Sequence, residues 1–122
     1  MPSVSREWMM YLNDMIEGAE LAQSFASGLK DDAFVPKQMA YEAILRQLEI
    51  IGEAAGHIPS DVQSMASDIP WRDMIALRNR LAHAYFAIER DILWNLVMVE
   101  LPLTRASLER LREKLREAKR HG

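Results

Sequence analysis

The chain has 122 residues, enough for one hydrophobic core and short for two. It contains no cysteine, which excludes disulfides, thiolate catalysis and cysteine-ligated zinc or iron–sulfur sites. The net charge of −3 offers no general attraction to nucleic acid, but its spread is uneven. From Arg105 onward seven Lys or Arg face three Glu, a surplus of +4 that leaves −7 for the preceding residues. That basic segment reads first as a solvated helix face and second as a track for a phosphate backbone.

In chain order, the segment Met1–Glu7 lacks the basic start and apolar run of a signal peptide. A first helix is predicted over Ser5–Ser27, with Trp8, Leu12, Met15, Ala19, Ala22 and Phe25 forming an apolar stripe and Gly28 as its stop. Asp31–Pro36 reads as a connection with at most one helical turn. A second helix is predicted over Lys37–Ala55 and ends at Gly56. Its inner side carries Ala40, Ile44, Gln47, Leu48, Ile51 and Ala55, widened by Met39, Ala43 and Ile50. Gly52 inside it costs about 1 kcal/mol against alanine, a cost that a close helix–helix approach would explain. Ser60 is predicted to cap a short third helix, and Pro70 suits the first turn of a fourth. Met74, Leu77, Leu81 and Ala84 are its expected inner face.

The last helix is predicted from near Glu89 to Arg120, kinked where the Pro102 ring removes the bond to the Met98 carbonyl. Leu93, Trp94, Leu96, Val97, Met98 and Leu101 are apolar over more than one face. The helix is therefore central to the core or shared with a second subunit. Farther on, Leu108, Leu111, Leu115 and Ala118 supply an inner seam, and Glu109, Glu113 and Glu117 each precede an arginine by three positions. The apolar run Ile92–Leu103 is interrupted by Asn95, Glu100 and Pro102 and falls short of the ~20 apolar residues of a membrane span. Nothing alternates as a strand does. The expectation is an all-α antiparallel bundle of four to five helices in one domain, cytoplasmic and without a membrane partner.

The densest chemistry lies in Arg78-Asn79-Arg80-Leu81-Ala82-His83-Ala84-Tyr85. Metal-free RNA cleavage uses the ribose 2′-OH as nucleophile, so a proton must move and charge on phosphorus must be held. An imidazole moves protons near neutral pH, and a guanidinium grips phosphate through parallel N–H bonds. His83 and Arg78 are the candidates, with Asn79 as an accompanying polar group. Five positions on a regular helix set Arg78 and His83 about 140° apart. They converge only if the helix ends or distorts near His83, or if a second chain completes the site. The spacing alone also fits a structural role, with Arg78 paired to Asp73 or Glu89, His83 closing a helix and Tyr85 half-buried.

Elsewhere the signals are weaker. His57 follows Gly56 without a ligand-spaced partner, and His121 is penultimate. No His-x3-His pair or carboxylate cluster suggests a metal, and Glu49 and Glu53 read as a solvated face. No cofactor is expected.

The Arg-x4-His-x-Tyr pattern resembles the signature of HepT-type toxins of the HEPN superfamily. Leu48-Glu49-Ile50-Ile51-Gly52-Glu53-Ala54-Ala55 resembles that family's second-helix signature, and Ile69-Pro70-Trp71-Arg72 with Arg78–Phe86 resembles its central block. Residues 1–122 would then form a single HepT-like domain. The resemblance implies an all-α homodimer and a metal-independent RNA endonuclease, the toxin of a type VII-like toxin–antitoxin pair, with transfer RNA as a candidate substrate. Arg78 and His83 match its catalytic pair and Asn79 its accompanying position. Tyr85 matches the tyrosine that an MNT-type nucleotidyltransferase antitoxin modifies with AMP. Ala84 stands where many relatives have glycine, and Ala87-Ile88-Glu89 replaces a frequent Val-Asp pair. A reading from another class is a non-catalytic helical subunit that presents substrate to, or regulates, a nucleotidyltransferase. A pure binding module has no need of both Arg78 and His83, which favours the enzyme.

Overall fold

The computed structural model describes residues 6–83 and 88–121. Among them every regular element is helical, as the periodicity predicts. The helices are α1 (Arg6–Ala26), α2 (Met39–Ala55), the short α3 (Ser60–Gln63), α4 (Trp71–His83), α5 (Arg90–Asn95) and α6 (Leu101–His121). Single 3₁₀ turns at Asp31–Ala33 and Ser64–Ala66 punctuate the connections. The expected helix start at Ser5 and the Ala84 contribution to the fourth helix lie outside the described residues.

Two pairings set the bundle. Tyr11 near the start of α1 meets His57 just past the end of α2, while Gly18 farther along α1 faces Gln47 and Ile51. Position rises on α1 as it falls on α2, so the two run antiparallel. Asn13 accepts from Arg112, and Glu20 and Gln23 take Arg105, so α6 also runs antiparallel to α1. Helix α4 packs on the other side of α2.

The core seam follows the helical repeat, with local corrections. In α1 the buried residues are Trp8, Leu12, Met15, Ile16, Ala19, Ala22 and Ala26. Phe25 is 39% exposed, because Ala26 takes its place beneath the turn that Gly28 closes at φ 78°. In α2 the seam is rotated toward Tyr41, Leu48 and Ala54, which leaves Met39 at 87% exposure. Helix α2 also starts later than predicted. Lys37 takes a left-handed φ of 74°, which a helix cannot continue, and Glu42 accepts from its N–H at 3.2 Å. Ser60 is the first residue of α3 rather than its cap; Pro59 holds the cap position.

The connection between α1 and α2 is anchored by Phe34, fully buried against Tyr41 and Trp94. Arg90 clamps the same connection. Its Nε donates to the Phe34 carbonyl at 3.0 Å and its terminal nitrogens reach Asp31 at 2.6 and 2.8 Å. Burial alone would lower the Arg90 pKa, but bonds to Asp31 and Asp91 outweigh it and raise the value.

The kink expected at Pro102 is realised as a wider turn. Over Leu96–Glu100 the chain is a π-helix, and the Leu101 N–H reaches back five residues to the Leu96 carbonyl. Leu93, Val97 and Leu101 are buried on one side of this region, while Ile92, Val99 and Leu103 are 56%, 54% and 68% exposed on another. Helix α6 seats Leu108, Leu111 and Leu115 as predicted. Its charge ladder is only partly local. Glu117 takes Arg120, but Glu109 takes Arg105 and Arg112 crosses to Asn13. No helix of the described residues is long and apolar enough to cross a membrane.

Candidate functional site

Helix α4 is fixed at one end and held against α2 farther along. The Pro70 carbonyl accepts the Met74 N–H at 3.0 Å, and the buried Trp71 donates its indole N–H to Ala66 at 3.1 Å. Beyond Trp71 the helix is half-buried, with Met74, Leu77 and Leu81 against the core. Gly52 explains how closely it approaches α2. A Cβ at that position would overlap the Arg78 Cβ and stand 2.5 Å from the Met74 carbonyl oxygen. Gly52 is thus the groove over which Arg78 crosses α2, the close approach that its helix-weakening cost implied.

The next residue of α2 takes hold of that arginine. Arg78 Nε forms an ion pair with Glu53 Oε2 at 3.0 Å, and Arg78 Nη1 donates to Asn79 Oδ1 at 3.1 Å. Glu53 Oε1 lies 3.5 Å from His57 Nε2. The His57 ring in turn stacks on Tyr11, with centroids 4.2 Å apart and planes 10° from parallel. Beside this chain of contacts opens a cleft of about 200 Å³ lined by Tyr11, Asp14, Arg46, Glu49, Glu53 and Arg78. The Arg78 and Glu53 side chains are 37% and 54% exposed, so solvent screening holds their pairing to ~1 kcal/mol or less. Its consequence is direction rather than stability: it fixes where the guanidinium points.

Two expectations are corrected here. Arg78 pairs with neither Asp73 nor Glu89; its partner is Glu53, the residue after Gly52 on the facing helix. Glu53 and Glu49 do not simply face solvent, since Glu53 bridges Arg78 and His57 and Glu49 lies 3.7 Å from Arg46. His57 has partners in Tyr11 and Glu53. The four-residue step from Glu53 to His57 was a signal for the second of these. Nothing local points to Tyr11, which arrives from another helix.

His83 is the last residue of α4 and is exposed. The helix runs continuously from Arg78 to His83, so the two side chains leave it about 140° apart and roughly 7.5 Å along the axis. Arg78 and Asn79 are brought together, and Arg78 is directed toward α2; His83 leaves on another azimuth. Tyr85 lies outside the described residues. Among the described residues no three His, Asp or Glu side chains are grouped so as to hold a metal ion.

A helical bundle with an arginine and a polar neighbour on one helix, steered by a carboxylate from the next, defines a class of helical proteins with a polar site on an inter-helix seam. The family model for HepT-like ribonucleases matches residues 15–111, and the chain belongs to that family. It is 37% identical to a Thermococcus cleftensis protein named as a ribonuclease HepT, over 84% of this chain and 94% of the relative. It is 34% identical to a Methanocaldococcus jannaschii protein named as an RNase, over 85% and 95%. A third relative, from Caldanaerobacter subterraneus and also named as an RNase, is 30% identical over 75% and 82%. No solved structure matches the chain.

Proposed function

We infer that this chain, a ribonuclease by family, is a metal-independent RNA endonuclease acting as a homodimer. Arg78 of one protomer and the partner subunit's His83 form each site. His83 takes the proton of the ribose 2′-OH, whose oxygen attacks phosphorus. The bond to the 5′-oxygen breaks, and that oxygen takes a proton from water. Arg78 holds the charge that builds on the phosphate, and Asn79 supplies a neutral donor or acceptor beside it. The observation that carries this reading is the placement of Arg78: a family match spans it, and Glu53 holds it at a half-exposed seam. The 140° between Arg78 and His83 is the reason for assigning them to different protomers. The exposed apolar stripe Ile92, Val99 and Leu103 supports a second copy.

In the cell the enzyme would be the toxin of a type VII-like pair in the cytoplasm, with transfer RNA as its candidate substrate. The partner would be an MNT-type nucleotidyltransferase that places AMP on Tyr85. AMP there would put bulk and negative charge two residues from His83, where an RNA phosphate must approach.

The test is incubation of the purified protein with transfer RNA in excess EDTA. Cleavage persists, and Arg78→Ala and His83→Ala each lose on the order of 10²-fold in rate. Equal rates in all three proteins would contradict the assignment.

A further inference from the structure

The stacked Tyr11–His57 pair is not used by the cleavage chemistry, yet it stands at the same carboxylate that holds Arg78. Both His57 Nε2 and Arg78 Nε touch Glu53, so ring pair and guanidinium are separated by little more than one carboxylate group. That is the scale on which a base and its phosphate are separated in a single nucleotide. The Tyr11 ring, backed on one face by His57, lines the cleft beside them. Aromatic faces of this kind are what proteins offer to unstacked RNA bases.

The cleft beside the pair carries an unusual charge balance for RNA contact. Asp14, Glu49 and Glu53 outnumber Arg46 and Arg78, which repels phosphate from its floor. Carboxylates accept hydrogen bonds but cannot donate them; cytosine presents an exocyclic amine donor where uracil presents its O4 carbonyl, an acceptor that a carboxylate repels, and the one uracil donor, N3–H, lies beside it. Asp14 makes no ion pair among the described residues and lies one turn from Tyr11 on α1. Glu49 lies one turn from Glu53 on α2 and is only loosely associated with Arg46 at 3.7 Å. The floor is therefore acceptor-rich and its entrance is aromatic.

We propose that this cleft is a nucleobase subsite: the base next to the scissile phosphate stacks on Tyr11, whose ring is backed by His57, and is selected for an exocyclic amine by Asp14 and Glu49. The proposal deepens the ribonuclease reading and rests on it for the position of the phosphate at Arg78. Tyr11 and His57 supply affinity, while the two carboxylates supply discrimination.

The experiment measures binding of fluorescein-labelled oligocytidylate and oligouridylate to the full-length protein by anisotropy, alongside cleavage of the same oligomers. Wild type binds the cytidine oligomer about fivefold or more tighter than the uridine oligomer. Tyr11→Leu weakens cytidine binding by about tenfold, and Tyr11→Phe, which keeps a flat ring, stays within about twofold of wild type. A thermal melt of each variant shows that the comparison is between folded proteins. In Asp14→Asn/Glu49→Gln the preference for cytidine collapses, because an amide can serve either base. Equal binding of the two oligomers by wild type, or Tyr11→Leu binding as wild type does, overturns the subsite. Cleavage without this binding pattern removes the subsite and leaves the ribonuclease reading; the pattern without cleavage does the reverse.

Discussion

Glu53 on α2 holds the Arg78 guanidinium of α4 at 3.0 Å, so the arginine assigned to the phosphate is aimed by the facing helix rather than by its own. The carboxylate engages Nε and could compete with phosphate, or it could pre-set the terminal nitrogens for it. Geometry favours the second, because Glu53 approaches the inner edge of the guanidinium. Glu53→Gln should then lower kcat by about tenfold, as a small misplacement of a catalytic group does. KM should change little, and stability should fall by less than ~1 kcal/mol. Steady-state kinetics with thermal melting checks this; a higher kcat in the variant would show competition instead.

Gly52→Ala sets two effects against each other. Alanine gains about 1 kcal/mol of helix propensity. Its Cβ, however, meets the Met74 carbonyl at 2.5 Å and the Arg78 Cβ, which are parts of a packed helix and not the tip of a flexible side chain. Overpacking of this kind costs about 1–3 kcal/mol, so the clash wins. The expected result is a lower midpoint in urea together with loss of RNA cleavage, since α4 must lift away from α2. A variant with raised stability and full activity would show that the seam is looser than described.

Arg90 separates stability from activity. It ties the Asp31 and Phe34 carbonyls to α5 and makes no contact with Arg78. Arg90→Ala should lower Tm by several degrees, because the part-buried Phe34 carbonyl and the Asp31 carbonyl and carboxylate all lose a charged donor. Arg90→Lys should recover only part of that loss, since an ammonium cannot reach both carbonyls with one planar fork. The rate per folded molecule should be unchanged in both. Calorimetry and an assay at low temperature distinguish the two quantities.

How much of this was legible in the sequence depends on whether a contact is local. The apolar repeats gave the helices and most of the buried seam, because a 3.6-residue period is imposed by the chain itself. Gly52 was readable as a close approach since its cost demanded a compensating contact. The later start of α2 was not, because it depends on a left-handed Lys37 that propensity disfavours. The π turn before Pro102 was visible only as a missing bond, not as the five-residue step that accommodates it. At the site, Arg78, Asn79 and His83 were singled out by chemistry and spacing. Glu53 was assigned to solvent and His57 to a bare loop, because their partners Arg78 and Tyr11 come from other helices.

On the proposed reading, Tyr85 would connect the activity to its control. When the partner nucleotidyltransferase and ATP are supplied, intact mass should rise by one or more AMP units and cleavage should fall with it. Tyr85→Phe should remove both effects while leaving cleavage in the untreated protein. A mass gain retained in Tyr85→Phe would move the modification to another residue.

The central claim is that each site takes its arginine from one protomer and its histidine from the other. Mixed dimers carrying Arg78→Ala in one protomer and His83→Ala in the other, isolated by two affinity tags, measure this directly in EDTA. One of their two sites is then intact, so they should cleave RNA at up to about half the wild-type rate, though each parent dimer is inactive. Mixed dimers as inactive as their parents would contradict it.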